Sequence, residues 1–430
     1  MNGFGRFVAE ADGLVVQPRM GFGSPELMRR GLAAVRDSGT LAVGTITLDS
    51  YTRVGSHDVA RAALAAGDDL NGYPIVAHPV DTTLAVVDGI AGAGFPVQVR
   101  HGSALPQDIV AASIAAGLYA TEGGPLSYCL PYSRVPVREA VRAWRESCRL
   151  LARLRETGAE PHLESFGGCM LGQLCPPSLL VAISVLEGLF FQRHGVRSVS
   201  LSYAQQTNAD QDAEAVHALA TLAGQHLTGH DWHIVIYTYM GVFPRTPHGA
   251  SALLAEAARL AARTGAARLI VKTVAEAHRI PTIEENVAAL RTAADSATST
   301  TYEPSTQDTG ILAEARALVD AVLALDDALD TALVTAVELG FLDVPYCLHP
   351  DNPGRTRTFV DHDGRLRWSR LGALPLRGIA DTGGDHDVTA AGLLRALSHV
   401  ERRFDDAAIE QDLHALHLDR PCEPTSERNA

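Results

Sequence analysis

The sequence predicts an α/β fold built on a parallel sheet, and two observations predict it. Short apolar runs rich in β-branched residues alternate with longer amphipathic stretches almost from the start. Most of these runs are bounded by Gly, Pro or polar residues, as buried parallel strands are. A series of this kind either stays open and doubly wound or closes into a barrel. No GxGxxG follows the first run and no GxxxxGK[ST] occurs anywhere, which counts against the nucleotide-binding open sheets.

Taken in order, the strand candidates are residues 14–19, 41–49, 73–78, 96–102, 118–124, 161–167, 198–203, 233–239 and 268–273. Nine are one too many for an eight-stranded ring, so one lies outside it or is not a strand. Ser24-Pro25-Glu26 supplies an N-cap with proline at the first helical position, and that helix stops near Gly39. Further helices are expected over 137–158, 177–191, 213–227 and 249–265, the last closed by glycine. Residues 296–308 are polar and read as a mobile loop. From Phe341 the texture changes to loops, with a short hairpin around Asp363-Gly364. The expected organisation is a catalytic domain over 1–340, a loop-rich extension packed on it over 341–420, and a disordered tail over 421–430.

Composition narrows the function classes. The formal charge of −14 and the scattered basic residues argue against a nucleic-acid or anionic-membrane partner, each of which needs a basic face. No apolar run approaches the ~20 residues that cross a bilayer. The N-terminus lacks the charged and apolar regions of a secretory signal, so a cytoplasmic location is expected. Cys129, Cys148, Cys169, Cys175, Cys347 and Cys422 form no CxxC pair and read as reduced thiols. Cys169 and Cys175 have no neighbour to complete a tetrahedral metal set. His349, Asp351, Asp361, His362, Asp363 and His386 fall in loop-like sequence without metal-site spacing and read as solvent-exposed. No metal ligand is expected. Only one of the 36 basic residues is a lysine, Lys272. Under so strong a preference for arginine, a retained lysine marks a place that arginine does not fill.

Polar residues gather at the carboxyl ends of the strand candidates, where barrels carry catalysis. Arg19, Arg53 and Arg100 each end a candidate or lie just past one, with glycine close behind. Three planar guanidinium forks suit a substrate with two carboxylates, although separate salt bridges would give the same pattern. Glu122 ends the fifth candidate and precedes two glycines; a carboxylate there can orient an ammonium group or accept a proton. Tyr128 and Tyr132 follow, and loop packing alone would account for them. Lys272 ends the ninth candidate with Glu276 four residues on, which makes either a rim salt bridge or a paired donor and acceptor for a diol.

In this order the motifs QPRMG, TLDSYTR, NGYP, VRHGS, TEGG–LSY–PY, PPS, IVKT–E and RIPT resemble the epsilon (large) subunit family of glutamate mutase, also called methylaspartate mutase. The likeness runs through roughly residues 14–290 and more weakly to about 370. It implies a (β/α)8 TIM barrel with a C-terminal loop-rich extension. The implied activity is an intramolecular transfer, the interconversion of L-glutamate and L-threo-3-methylaspartate with adenosylcobalamin. The coenzyme's radical takes a substrate hydrogen; the substrate radical then fragments to a glycyl radical and acrylate, which recombine at the other carbon. Carried over by motif, Arg19, Arg53 and Arg100 match the substrate clamp, Glu122 the catalytic glutamate at the substrate amino group, and Tyr128 and Tyr132 the positioning tyrosines. Asn71, Lys272 and Glu276 match coenzyme-binding positions, the last two at the ribose.

The chain lacks DxHxxG, the motif that holds cobalamin through histidine; Asp412-Leu413-His414 has His417 where glycine belongs and reads as helical surface. The resemblance therefore implies a small sigma subunit carrying that motif, in a heterotetramer of two large and two small subunits. The first strand begins near the N-terminus, without the helical extension common in the family. Residues 164–177 and 233–246 depart from the family pattern, with Tyr237 and Tyr239 where it has His and Trp. Those departures leave room for a related amino or 2-oxo dicarboxylate of secondary metabolism. A dicarboxylate lyase or isomerase without cobalamin would need a metal or a Schiff-base lysine, for which Lys272 is the sole candidate.

Overall fold

The computed structural model describes residues 3–167, 174–229, 231–303, 307–383 and 389–418, with side chains to residue 411. Its centre is a ring of eight parallel strands: β1 Val15–Pro18, β2 Gly44–Thr47, β3 Val97–Arg100, β4 Ala120–Glu122, β5 His162–Glu164, β6 Ser198–Ala204, β7 Asp231–Tyr237 and β8 Arg268–Val271. Neighbours in sequence are neighbours in the sheet, and β8 returns to pair with β1. β1 and β2 close the ring through a bridge between Val16 and Ala42, with Val16 N–H donating to Leu41 O at 2.9 Å. The fold is a (β/α)8 barrel.

The surplus strand candidate is 73–78. Only Tyr73 touches the ladder, in a bridge to Leu48. Pro74 has no N–H to donate, and its carbonyl instead accepts from Ala77 and His78 at 2.9 and 3.1 Å, which turns the chain away from the sheet. The Ser24-capped helix runs Pro25–Arg36, with Ser24 Oγ accepting from Leu27 N–H. The helix Pro177–Arg193 is buried over its whole length from Pro177 to Phe191. A short helix, Phe4–Ala9, precedes β1. The helix Ile283–Thr298 covers the first part of the expected loop 296–308. The hairpin at Asp363-Gly364 is present as the antiparallel strands Arg357–Val360 and Leu366–Arg370.

The barrel interior is polar at mid-height, where branched aliphatic layers are usual. Gln17 Nε2 donates to Thr45 Oγ1 and Gln98 Oε1, both at 2.8 Å. Arg268, fully buried, binds Gln17 and Glu164. His162 reaches Ser198 and Ser200 at 2.9 and 3.0 Å and stacks on His233 with ring centroids 5.2 Å apart. Phe4 closes the amino end of the barrel beneath this layer, stacked on His162 at 5.0 Å with the Arg268 guanidinium 4.9 Å from its ring.

Beyond Phe341, the buried Asp343 organises the chain by accepting from Asn352 Nδ2 and the backbone N–H groups of Gly354, Arg355 and Thr356. Asp351 accepts from Val137 N–H at 2.7 Å, and Thr358 Oγ1 donates to Leu174 O at 2.7 Å, which fastens this segment to the barrel. Among the described residues no helix is long and apolar enough to cross a membrane. Cys129, Cys148, Cys175 and Cys347 are free and buried. Cys169, Cys422, His386, the 421–430 tail and the side chains of Asp412, His414 and His417 lie outside the described residues.

Candidate active site

At the carboxyl end of the barrel a cavity of about 260 Å³ is lined by Arg19, Arg53, Arg100, Glu122, Tyr128 and Tyr132, together with His101, Phe166 and Met240. All six residues that the sequence assigned to substrate therefore meet in one place. The local structure explains how. Arg100 and Glu122 are the last residues of β3 and β4, so they point upward from rigid strands. Arg19 follows β1, its N–H still bonded to Val271 O. Arg53 is not on a strand end: it closes a four-residue helix, Ser50–Arg53, capped by Asp49, whose carboxylate accepts from Tyr51 and Thr52 N–H. Tyr128 and Tyr132 lie in the turn after β4, ring centroids 5.9 Å apart.

The charges are unevenly balanced. Arg100 lies 2.7 Å from Glu122 and 3.6 Å from Glu164, sealed from water. Arg53 folds back so that Nε and Nη2 donate to its own Leu48 carbonyl at 2.8 and 2.6 Å. Burial, and then the like charge of Arg19, lower the basicity of Arg53. The two guanidinium groups thus face each other with like charge, an arrangement able to take a carboxylate between them.

Glu122 sits under Tyr128 and Tyr237, both of which donate to it; the Tyr237 contact is 3.1 Å. The single Tyr237 O–H is shared between Glu122 and Glu164, the latter contact being the shorter. Burial, with Glu164 adding to it and Arg100 opposing, pushes the Glu122 carboxyl up to about 7. Burial would raise Glu164 too, but Arg268 and Arg100 outweigh it and hold that carboxyl below its ordinary range. Burial, then Arg53 and Arg100, drive His101 down to about 3, so it is neutral.

Lys272 lies just past β8, and its ammonium is 3.1 Å from Glu276, which also takes Arg19 at 2.9 Å. The pair does not share a helical face, because the next helix begins at Ile283. A turn brings them together, with Glu276 N–H donating to Thr273 O. Phe243 lies 5.1 Å from the ammonium. Asn71 is outside the cavity lining; it is exposed and exchanges hydrogen bonds of 3.0 and 2.6 Å with Ser50, which does line it.

Glu164, Tyr237 and Phe166 belong to the site and were not singled out as binding residues. Glu164 ends β5 in register with Glu122 on β4, so the rule that found the arginines applies to it equally. Tyr237 was visible as a departure from a pattern, but the pairing of its hydroxyl with two carboxylates depends on strands far apart in sequence. An open depression of about 690 Å³ adjoins the cavity and shares Arg53, Val54, Gly102 and Tyr132 with it.

The sequence model of the family described as methylaspartate mutase E chain matches residues 3–392. The chain belongs to that family. It is 33% identical over 388 residues to the glutamate mutase epsilon subunit of Halobacterium salinarum, covering 87% of this chain and 80% of that protein. The epsilon subunits of Yersinia enterocolitica (31% identity, 86% and 80% coverage) and Desulfitobacterium hafniense (32%, 84% and 77%) are similar in the same way. The family supports a mutase large subunit, and the cavity lies where such a barrel carries its chemistry.

Proposed function

We propose that this chain is the catalytic large subunit of an adenosylcobalamin-dependent mutase that interconverts L-glutamate and L-threo-3-methylaspartate. The observation that carries the reading is the convergence of Arg19, Arg53 and Arg100 on one small cavity beside Glu122. Arg53 and Arg19 take one substrate carboxylate between them, and Arg100 the other, each through planar two-point contacts. Glu122 accepts the ammonium group when ionised, and Tyr128 and Tyr132 fix the carbon chain between the two anchors. Buried Phe166 and neutral His101 line the cavity, which keeps water from a reactive organic radical.

Lys272, buried just past β8, and Glu276 beside it would hold the adenosyl group. Lys272 and Glu276 set a donor and an acceptor 3.1 Å apart, as a vicinal diol requires, and Asn71 stands beyond Ser50 as a further polar contact. Adenosylcobalamin, when bound, supplies the radical that removes a substrate hydrogen. This sequence has no DxHxxG, so a histidine that holds cobalamin would be supplied by a small sigma subunit, in an assembly of two large and two small subunits in the cytoplasm. Tyr237 favours a second reading. Its hydroxyl already serves Glu122, where the family pattern has histidine, and that suits a dicarboxylate lacking the amine.

The test is anaerobic reconstitution with a DxHxxG small subunit and adenosylcobalamin. Conversion of glutamate is expected only with all three present; turnover of a 2-oxo or other dicarboxylate in its place moves the assignment to the second reading. No turnover of any dicarboxylate sinks both.

A further inference from the structure

Glu187 is the one ionisable side chain in the buried stretch Pro177–Phe191, in a helix that contributes nothing to the cavity lining. Its carboxylate leaves the helix toward the turn after β4. There Oε1 accepts from Leu126 N–H and Ser127 N–H, each at 2.9 Å. These donors stand at the start of a tight turn in which Tyr128 N–H reaches Gly124 O at 3.2 Å and Leu130 N–H reaches Leu126 O at 2.9 Å. The carboxylate caps that turn as an acidic side chain caps a helix. Gly124 is its floor: a Cβ there would lie 2.1 Å from the Glu187 carboxyl. Tyr128, at the end of the same turn, is fully buried and donates to Glu122. Burial pushes the Glu187 carboxyl up to about 7, with the Ser127 and Leu126 N–H groups opposing. A buried carboxylate is costly unless it holds something in place.

The geometry points to Glu187 as a positioning residue for the substrate site: it pins the 124–128 turn so that Tyr128 presents its hydroxyl to Glu122. This rests on the reading of the cavity as a substrate site. Without the pin the turn shifts, and Glu122 loses one of the three partners, with Tyr237 and Arg100, that set its direction toward the substrate amine. Displacements of this kind, well short of unfolding, are enough to cost catalysis heavily.

The experiment compares Glu187→Leu, Glu187→Gln and Gly124→Ala with the parent chain. In hydrogen exchange, the amides of Leu126 and Ser127 exchange faster by about tenfold in Glu187→Leu. They keep their protection in Glu187→Gln, whose side-chain carbonyl still accepts both bonds. Gly124→Ala, which drives the carboxylate away, behaves like Glu187→Leu. In the reconstituted complex Glu187→Leu lowers kcat for glutamate on the order of 10²-fold with a smaller change in KM, and Glu187→Gln recovers most of it. Unchanged exchange and kinetics in Glu187→Leu overturn the assignment, and so does protection lost evenly across the barrel. Should Glu187→Leu not fold, Glu187→Asp carries the same expectation, because it withdraws the carboxylate by one methylene. If the parent complex turns over no dicarboxylate, the mutase reading fails; the exchange arm still decides whether Glu187 holds the turn.

Discussion

Glu122 and Glu164 stand in register on adjacent strands, yet their surroundings push them apart: burial and its neighbour raise the first, while two arginines hold the second ionised. A pair split in this way gives each carboxylate a separate task. Because Glu122 is raised, it is largely neutral below about pH 7 and becomes an acceptor for an ammonium group only above it. Affinity for L-glutamate in the reconstituted complex is therefore expected to climb between pH 6 and 8, by as much as about tenfold per unit. A five-carbon dicarboxylate without the amine is expected to bind less tightly over the same range, since the newly ionised Glu122 repels it. Calorimetric titrations with both ligands check this, and Glu122→Gln should remove both slopes. Just past β8, Lys272→Ala is expected to weaken adenosylcobalamin binding about tenfold or more while moving the glutamate affinity less. Equal losses for the two ligands would remove Lys272 from the coenzyme site. Lys272→Arg should not restore binding, because a compact ammonium beside Glu276 and Phe243 is replaced by a wide planar fork.

At the scale of elements, eight of the nine strand candidates form the barrel, because buried parallel strands announce themselves as short β-branched runs. The exception, 73–78, has the right residue types but a proline at its second position, and the backbone donor lost there turns it into a turn, largely buried, beside the sheet. Polar residues at strand ends were legible for a similar reason: a charge closing an apolar run has few structural excuses. The network joining Arg100, Glu122, Glu164, Tyr237 and Arg268 was not legible, since it links five strands and no local pattern encodes which charges face each other. Nor was the role of the helix Phe4–Ala9, which puts Phe4 under the polar layer of the barrel. Phe4→Ala opens that end to water beneath Arg268 and Glu164. A loss of about 3 kcal/mol is expected in urea unfolding, compared with little change for a substitution at the exposed Arg6. A near-neutral Phe4→Ala would mean that the helix is an ornament on a barrel already closed by its own side chains.

The whole molecule is asymmetric about its barrel. The amino end is closed by Phe4, whereas the carboxyl end opens into the depression beside the cavity, around which Val54, Tyr132 and Leu348 are exposed, Leu348 by 81%. Val242 and Ile280, from the connections after β7 and β8, are exposed as well. Large apolar side chains gathered at the mouth of a site are a poor arrangement for a surface that stays in water, and a good one for a surface that another subunit covers. The net charge of −14 would draw a basic partner from a distance, whereas the exposed side chains at the mouth offer contact by apolar burial. Val54→Asp and Leu348→Asp are accordingly expected to leave the thermal unfolding of the isolated chain within about 1 °C of the parent, because neither side chain is buried in it. In sedimentation with a DxHxxG subunit and adenosylcobalamin, each should weaken assembly at least about tenfold, the cost of burying an unpaired carboxylate against an apolar partner. A control charge on the far side, Leu150→Asp on the half-exposed outer face of the helix Val137–Arg153, should assemble normally. Assembly unaffected by the two mouth substitutions but lost in the control would place the partner on the flank of the barrel. The cavity would then have to receive its coenzyme across open solvent, and that outcome would count against the radical mechanism itself.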